Sequence, residues 1–157
     1  GEAKPDPTKV TSASASFLGC THDSSAVEIQ LMLACEDNSP MTVITFNMPY
    51  AEYDSLMVLS GTYMTGEGDN TYAAGTADKG SLVDYGTFSL PAGSYVMYSF
   101  GDYMIADSMA SLILAKNADG TYSITAMLMN KSETSYMYSI SSIAIPLSDG
   151  RDSGGGD

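Results

Sequence analysis

The chain has 157 residues, enough for one domain with a core of its own. Only 16% of its residues are charged, against about 25% in ordinary globular proteins, and Ser, Thr, Gly and Tyr fill the difference. A net charge of −13, with six scattered basic residues and no basic stripe, excludes nucleic acid and anionic membrane as partners, and no apolar run is long enough for a membrane-spanning helix.

Residues 1–10 are polar with two prolines and read as an extended leader or tether. Thr11–Gly19 and Ala26–Cys35 form a first β pair, turning at about Asp23. In the second run Val27, Ile29, Leu31 and Leu33 alternate with Glu28, Gln30 and Met32, the period of a strand with one face in the core. Cys20 falls near the turn and Cys35 at the open end of the ladder, so the two thiols are expected not to be bonded. After the turn Glu36–Pro40, Met41–Met48 is a third strand. Pro49–Leu59 is the one place where a short helix is plausible.

Thr65–Gly80 is rich in Gly, Asp, Asn and Thr and nearly free of aliphatics. It reads as a long loop, the most mobile internal segment. Strands resume at Ser81–Ser89 and Ser94–Phe100, with Leu90–Gly93 as the turn between them and Gly101-Asp102 as the next turn. Met109–Ala115 and Thr121–Met129 form the clearest hairpin, through Asp119-Gly120. Ser135–Ile145 closes the body, and Pro146 stops the ladder. The tail 148–157 is Gly-rich, acidic and read as flexible. The folded body, 11–147, is therefore expected to be all-β: a single antiparallel sandwich or partly closed barrel of about eight to ten strands.

Several elements carry a family likeness. Ala13-Ser14-Ala15-Ser16-Phe17-Leu18-Gly19 opens the body, with Phe17 where Tyr is usual. Gly61-Thr62-Tyr63 and Gly93-Ser94-Tyr95 follow, then Leu112–Ala115, Asp119–Ile124 and the Tyr-rich Tyr136–Ile145. In this order they resemble the small secreted lipoproteins of Bacteroidetes-type gut bacteria, mostly of uncharacterised function. The resemblance implies export to the cell surface or periplasm and a lipid anchor upstream of Gly1. It implies no reaction.

No residue pattern supplies catalytic chemistry. His22 is the only histidine and sits in a turn beside Asp23; a zinc site needs three or four ligands, and no second Cys/His cluster exists. No Gly-x-Ser-x-Gly elbow is present. Glu36-Asp37-Asn38 and Glu67-Gly68-Asp69-Asn70 offer oxygen ligands without the spacing of a calcium loop, so they read as turns. No cofactor and no metal are assigned. The expected function is a non-catalytic envelope or surface module binding a glycan or another envelope protein. A carboxylate-based glycosidase and a structural subunit of a surface assembly are the alternatives. Glu67, Asp69 and Tyr72 in the loop, then Tyr50 and Tyr53, are the candidate ligand contacts, because tyrosines in irregular segments stand free to stack.

Overall fold

The computed structural model describes residues 4–22, 24–50 and 59–149. The turn at Asp23, most of the helical candidate at Pro49–Leu59, and Tyr53 lie outside the described residues. The remainder is built from β-strands and two 3-10 turns, as the alternating runs require. The strands are β1 (Ser12–Gly19), β2 (Ala26–Ala34), β3 (Met41–Pro49), β4 (Gly61–Thr65), β5 (Thr76–Ala77), β6 (Ser81–Asp84), β7 (Ser89–Ala92), β8 (Tyr95–Ser99), β9 (Asp102–Ile105), β10 (Met109–Lys116), β11 (Tyr122–Met129), β12 (Ser135–Ile143) and β13 (Leu147–Asp149).

One curled sheet runs β12-β11-β10-β4-β5-β3-β2-β1-β13, and β8 with β9 branches from β3. Strand β3 is the fork. Its whole length pairs with β2 on one side; on the other, Met41–Val43 pairs with β8 and Phe46-Asn47 with β5. The curl brings the two flanks together over the core. Phe46 of β3 lies 4.4 Å, centroid to centroid, from Tyr63 of β4, and the Tyr138 hydroxyl of β12 meets Thr42 Oγ1 of β3 at 2.6 Å. Val27, Ile29, Leu31 and Leu33 of β2 are all buried there with Ile44 and Phe46, opposite Leu112, Leu114, Ile124 and Leu128. The core tyrosines keep their hydroxyls bonded: Tyr63 donates to the Leu59 carbonyl, and Tyr122 accepts from the Leu59 amide. A buried tyrosine needs such a partner.

Cys20 is exposed and Cys35 buried, and both are free thiols. Burial pushes the Cys35 thiol up from its ordinary value.

Four boundaries differ from the sequence reading. Residues 4–10 are not a free tether: Pro7 is buried, its carbonyl accepts from the Cys35 thiol, Val10 packs on the core and Lys4 pairs with Asp102. Ser148 and Asp149 belong to the body, because β13 adds beside β1 in parallel beyond Pro146. The turn expected at Leu90–Gly93 is largely strand. The reversal falls instead at Tyr85–Phe88, where Gly86 takes a φ of 95° and its amide donates to Asp84 Oδ1. Pro91 is tolerated in β7 because this two-stranded hairpin has only edges. Finally, Thr65–Gly80 is not wholly a free loop: Thr76, Ala77 and Asp78 are buried, with β5 wedged between β4 and β3.

Candidate functional site

The site lies on the face of β2 and β3 that points away from the core. Cross-strand register puts Glu28 opposite Asn47, Gln30 opposite Thr45 and Met32 opposite Val43 on that face. A half-buried sheet would leave these residues in water. Yet Val43, Thr45 and Asn47 are buried, so β3 is covered on both sides. The cover is the chain from Gly66 to Ser94.

Glycine makes the close approach of that cover geometrically allowed. At Gly93 φ is +75°, and a Cβ there would stand 2.1 Å from the Lys79 carbonyl oxygen; at Gly80 a Cβ would stand 2.1 Å from the Ser94 carbonyl oxygen. The two segments therefore touch backbone to backbone and deliver Asp78 over β3.

Asp78 is 6% exposed. Its amide donates to the Thr45 carbonyl at 2.8 Å, and its Oδ1 accepts from Asn47 Nδ2 at 2.8 Å. The same Asn47 amide donates to Thr76 Oγ1 at 2.9 Å. Burial pushes the Asp78 carboxyl up from 3.8 to about 6. The Asn47 hydrogen bond opposes the rise; the charge and hydrogen bond of Glu28 add to it, and His22 opposes it. Glu28 thus stands close enough for its negative charge to help raise the Asp78 carboxyl.

Outward from this pair the site becomes wetter. Glu28 Oε1 accepts from the Thr21 hydroxyl at 2.9 Å, and its Oε2 lies 3.4 Å from His22 Nε2. The His22 ring stacks on Tyr72 at 3.7 Å with an interplanar angle of 10°. Lys79 Nζ stands 3.9 Å from Glu67 Oε1. Tyr72 lines three adjoining cavities. One of about 370 Å³ includes Glu67, Asp78 and Lys79. A second of about 360 Å³ includes His22, Glu28, Gln30 and Asp78. A third of about 270 Å³ includes His22 and Asp69.

The three loop candidates, Glu67, Asp69 and Tyr72, therefore stand around one cleft system. Tyr50 is exposed at the end of β3, with its amide bonded to the Ser25 carbonyl, outside these three cavities. Tyr53 lies outside the described residues. Sequence reasoning missed Asp78 and Glu28; His22 is exposed in its turn, and its contacts with Tyr72 and Glu28 were not foreseen. A usable signal was present in β3: Val43, Thr45 and Asn47 interleave with Ile44, Phe46 and Met48, a run suited to a strand buried on both faces. A polar pair inside such a run needs buried partners.

Among the described residues, no three His, Cys, Asp or Glu side chains converge as metal ligands. Glu36–Asn38 and Gly68–Asn70 are single 3-10 turns. No helix among the described residues is long and apolar enough to cross a membrane. No protein-family profile, no curated protein and no solved structure matches the chain.

Proposed function

We propose that the chain is a non-catalytic, exported binding module whose cleft around Tyr72 takes a polyhydroxylated ligand, a glycan. The observation that carries this reading is the His22–Tyr72 ring stack standing beside Glu28 and lining the same cavity as the buried Asp78. An aromatic ring offers a face with partial negative charge to sugar C–H groups. Carboxylates, Gln30 and Lys79 on the adjoining walls supply acceptors and donors for hydroxyls. The likeness to small secreted lipoproteins supports a cell-surface or periplasmic setting.

The carboxyl pair favours binding over glycoside hydrolysis. Hydrolases set their two carboxyl groups about 5 Å or more apart, on either side of the scissile bond. Glu28 and Asp78 stand close enough for the Glu28 charge to raise the Asp78 carboxyl, a closer setting than a pair that flanks a scissile bond.

The test is a screen of soluble oligosaccharides against the protein at physiological calcium, repeated with Tyr72→Ala. Binding to at least one oligosaccharide that Tyr72→Ala removes is the expected outcome. A blank screen, or a hit that the substitution leaves intact, contradicts the proposal.

A further inference from the structure

Strand β12 ends the sheet, and its outer edge pairs with no described strand. The curl does not close that edge by backbone pairing with β8. Tyr136 of β12 meets Tyr98 of β8 hydroxyl to hydroxyl, so two ring lengths separate the strands there. Among the described residues no strand takes up the outward amides and carbonyls of Ser135–Ile140, the arrangement that recruits another strand.

Proteins that keep such an edge single blunt it with lysine, proline, a bulge or short length. Strand β12 runs nine residues without a charge or a proline, and its register irregularity falls beyond Ile140, leaving Ser135–Ile140 regular. The opposite end of the sheet differs: β13 has three residues, follows Pro146 and carries Asp149. The absence of charge extends inward. In a chain of net charge −13, strands β4, β10, β11 and β12 together hold one charged residue, Lys116. On their outward face, register aligns Met64, Ser111, Met127 and Met137 in one cross-strand row, which ends at Met137, 70% exposed.

We infer that β12 pairs antiparallel with β12 of a second copy, joining two sheets across a two-fold axis. The second copy fits because it brings a strand of equal length with no charge to oppose, and its own Met137 continues the methionine row. Any such register keeps Tyr136, Tyr138 and Ile140 on the core side, and Met137 and Ser139 on the outer side, in both copies. One strand per subunit gives less than the about 800 Å² per partner of a standard interface, so the dimer belongs to the weak class. The net charges repel, so association strengthens with added salt.

Sedimentation velocity from ~10 µM to ~1 mM subunit, at low and high salt, tests this. The dimer fraction should rise across that range and rise further with salt. The double substitution Met137→Lys/Ser139→Lys places like charges across the strand pair in any of these registers and should give a monomer. Both positions are exposed, so its circular dichroism and thermal midpoint should match the parent. The counterpart Met137→Glu/Ser139→Glu should also be monomeric, and an equimolar mixture of the two variants should dimerise. A parent that stays monomeric at ~1 mM, a dimer indifferent to the Lys pair, or open-ended growth typical of head-to-tail contact would overturn the inference.

Discussion

Two outward-facing sheet surfaces in this molecule share one ladder geometry and reach opposite ends. The outer face of β2 and β3 is covered by the chain from Gly66 to Ser94, where Asn47 and Asp78 are buried and Glu28 is half-buried at the rim. The outer face of β10, β11 and β12 has no such cover among the described residues and presents Met, Ser, Thr and Ile. Burial is what creates chemistry on the first face: an aspartate at an ordinary surface titrates near 3.8, and this one is moved to about 6. The second face is chemically quiet and is suited only to contact. Strand propensity alone distinguishes neither; the covering segment does.

The largest way to break the comparison is to lift the cover. Gly93→Ala places a side chain in left-handed backbone against the Lys79 carbonyl, and should cost about 3–5 kcal/mol, read as a lowered urea midpoint. If the loss stays below about 1 kcal/mol, the cover is not held by this contact. Next is Leu128→Ala beneath the quiet face. Leu128 is fully buried, and cavity formation should cost about 3 kcal/mol. Unlike Gly93→Ala, it should leave the Asp78 titration in place, provided both are measured where the variants are folded.

A smaller effect has the opposite sign. The folded-state value of Asp78 exceeds its unfolded value, so between pH 3.8 and about 6 the native protein keeps a proton that the unfolded chain has released. Its contribution to stability is complete below pH 3.8 and is lost as the pH rises through about 6. Asp78→Asn removes that loss while keeping a donor toward Glu28. It should stabilise the protein by about 2 kcal/mol at pH 7.5 and flatten the pH dependence across the same window. Destabilisation at pH 7.5 would mean that the charged carboxylate is the favoured native form. Such a residue, stabilised by substitution, is what a binding site that trades stability for function contains.

The smallest expected change is the triple substitution Glu67→Ala/Asp69→Ala/Tyr72→Ala. Tyr72 is 40% exposed, and Glu67 and Asp69 are exposed on the turn. Stability should fall by no more than about 1 kcal/mol, chiefly the ring stack with His22, while oligosaccharide binding is lost. A loss of several kcal/mol would show that this turn is packed structure rather than a binding rim.

The quiet half of the sheet was readable in the sequence because each of its strands has one buried face and a clean period of two. Tyr122, Ile124, Ala126 and Leu128 alternate with polar or adaptable residues, and Asp119-Gly120 marks the reversal. The covered half was less readable. Period-two reasoning expects one wet face, so it placed Glu28 and Gln30 in solvent. It also had no means to see that β5, a strand of only two residues, would bring Asp78 beside them. Contacts between Asp78 and Glu28 span fifty positions and depend on how β3 forks. The loop candidates were picked out for a simpler reason: Tyr72 is the one aromatic in a stretch of Gly, Asp and Thr, and an aromatic there has few core neighbours to cover. The contacts of His22 were not legible because their partners, Tyr72 and Glu28, are set beside it by the fold and not by a local pattern.

The central claim is that the cleft holds a carboxyl, Asp78, buried enough to keep its proton well above the ordinary carboxylate range. Carbon-13 NMR titration of the Asp78 side-chain carboxyl in the unsubstituted protein tests it most directly. The account predicts a midpoint of about 6 for that resonance. A midpoint near 3.8 would place Asp78 in ordinary solvent contact and contradict the account.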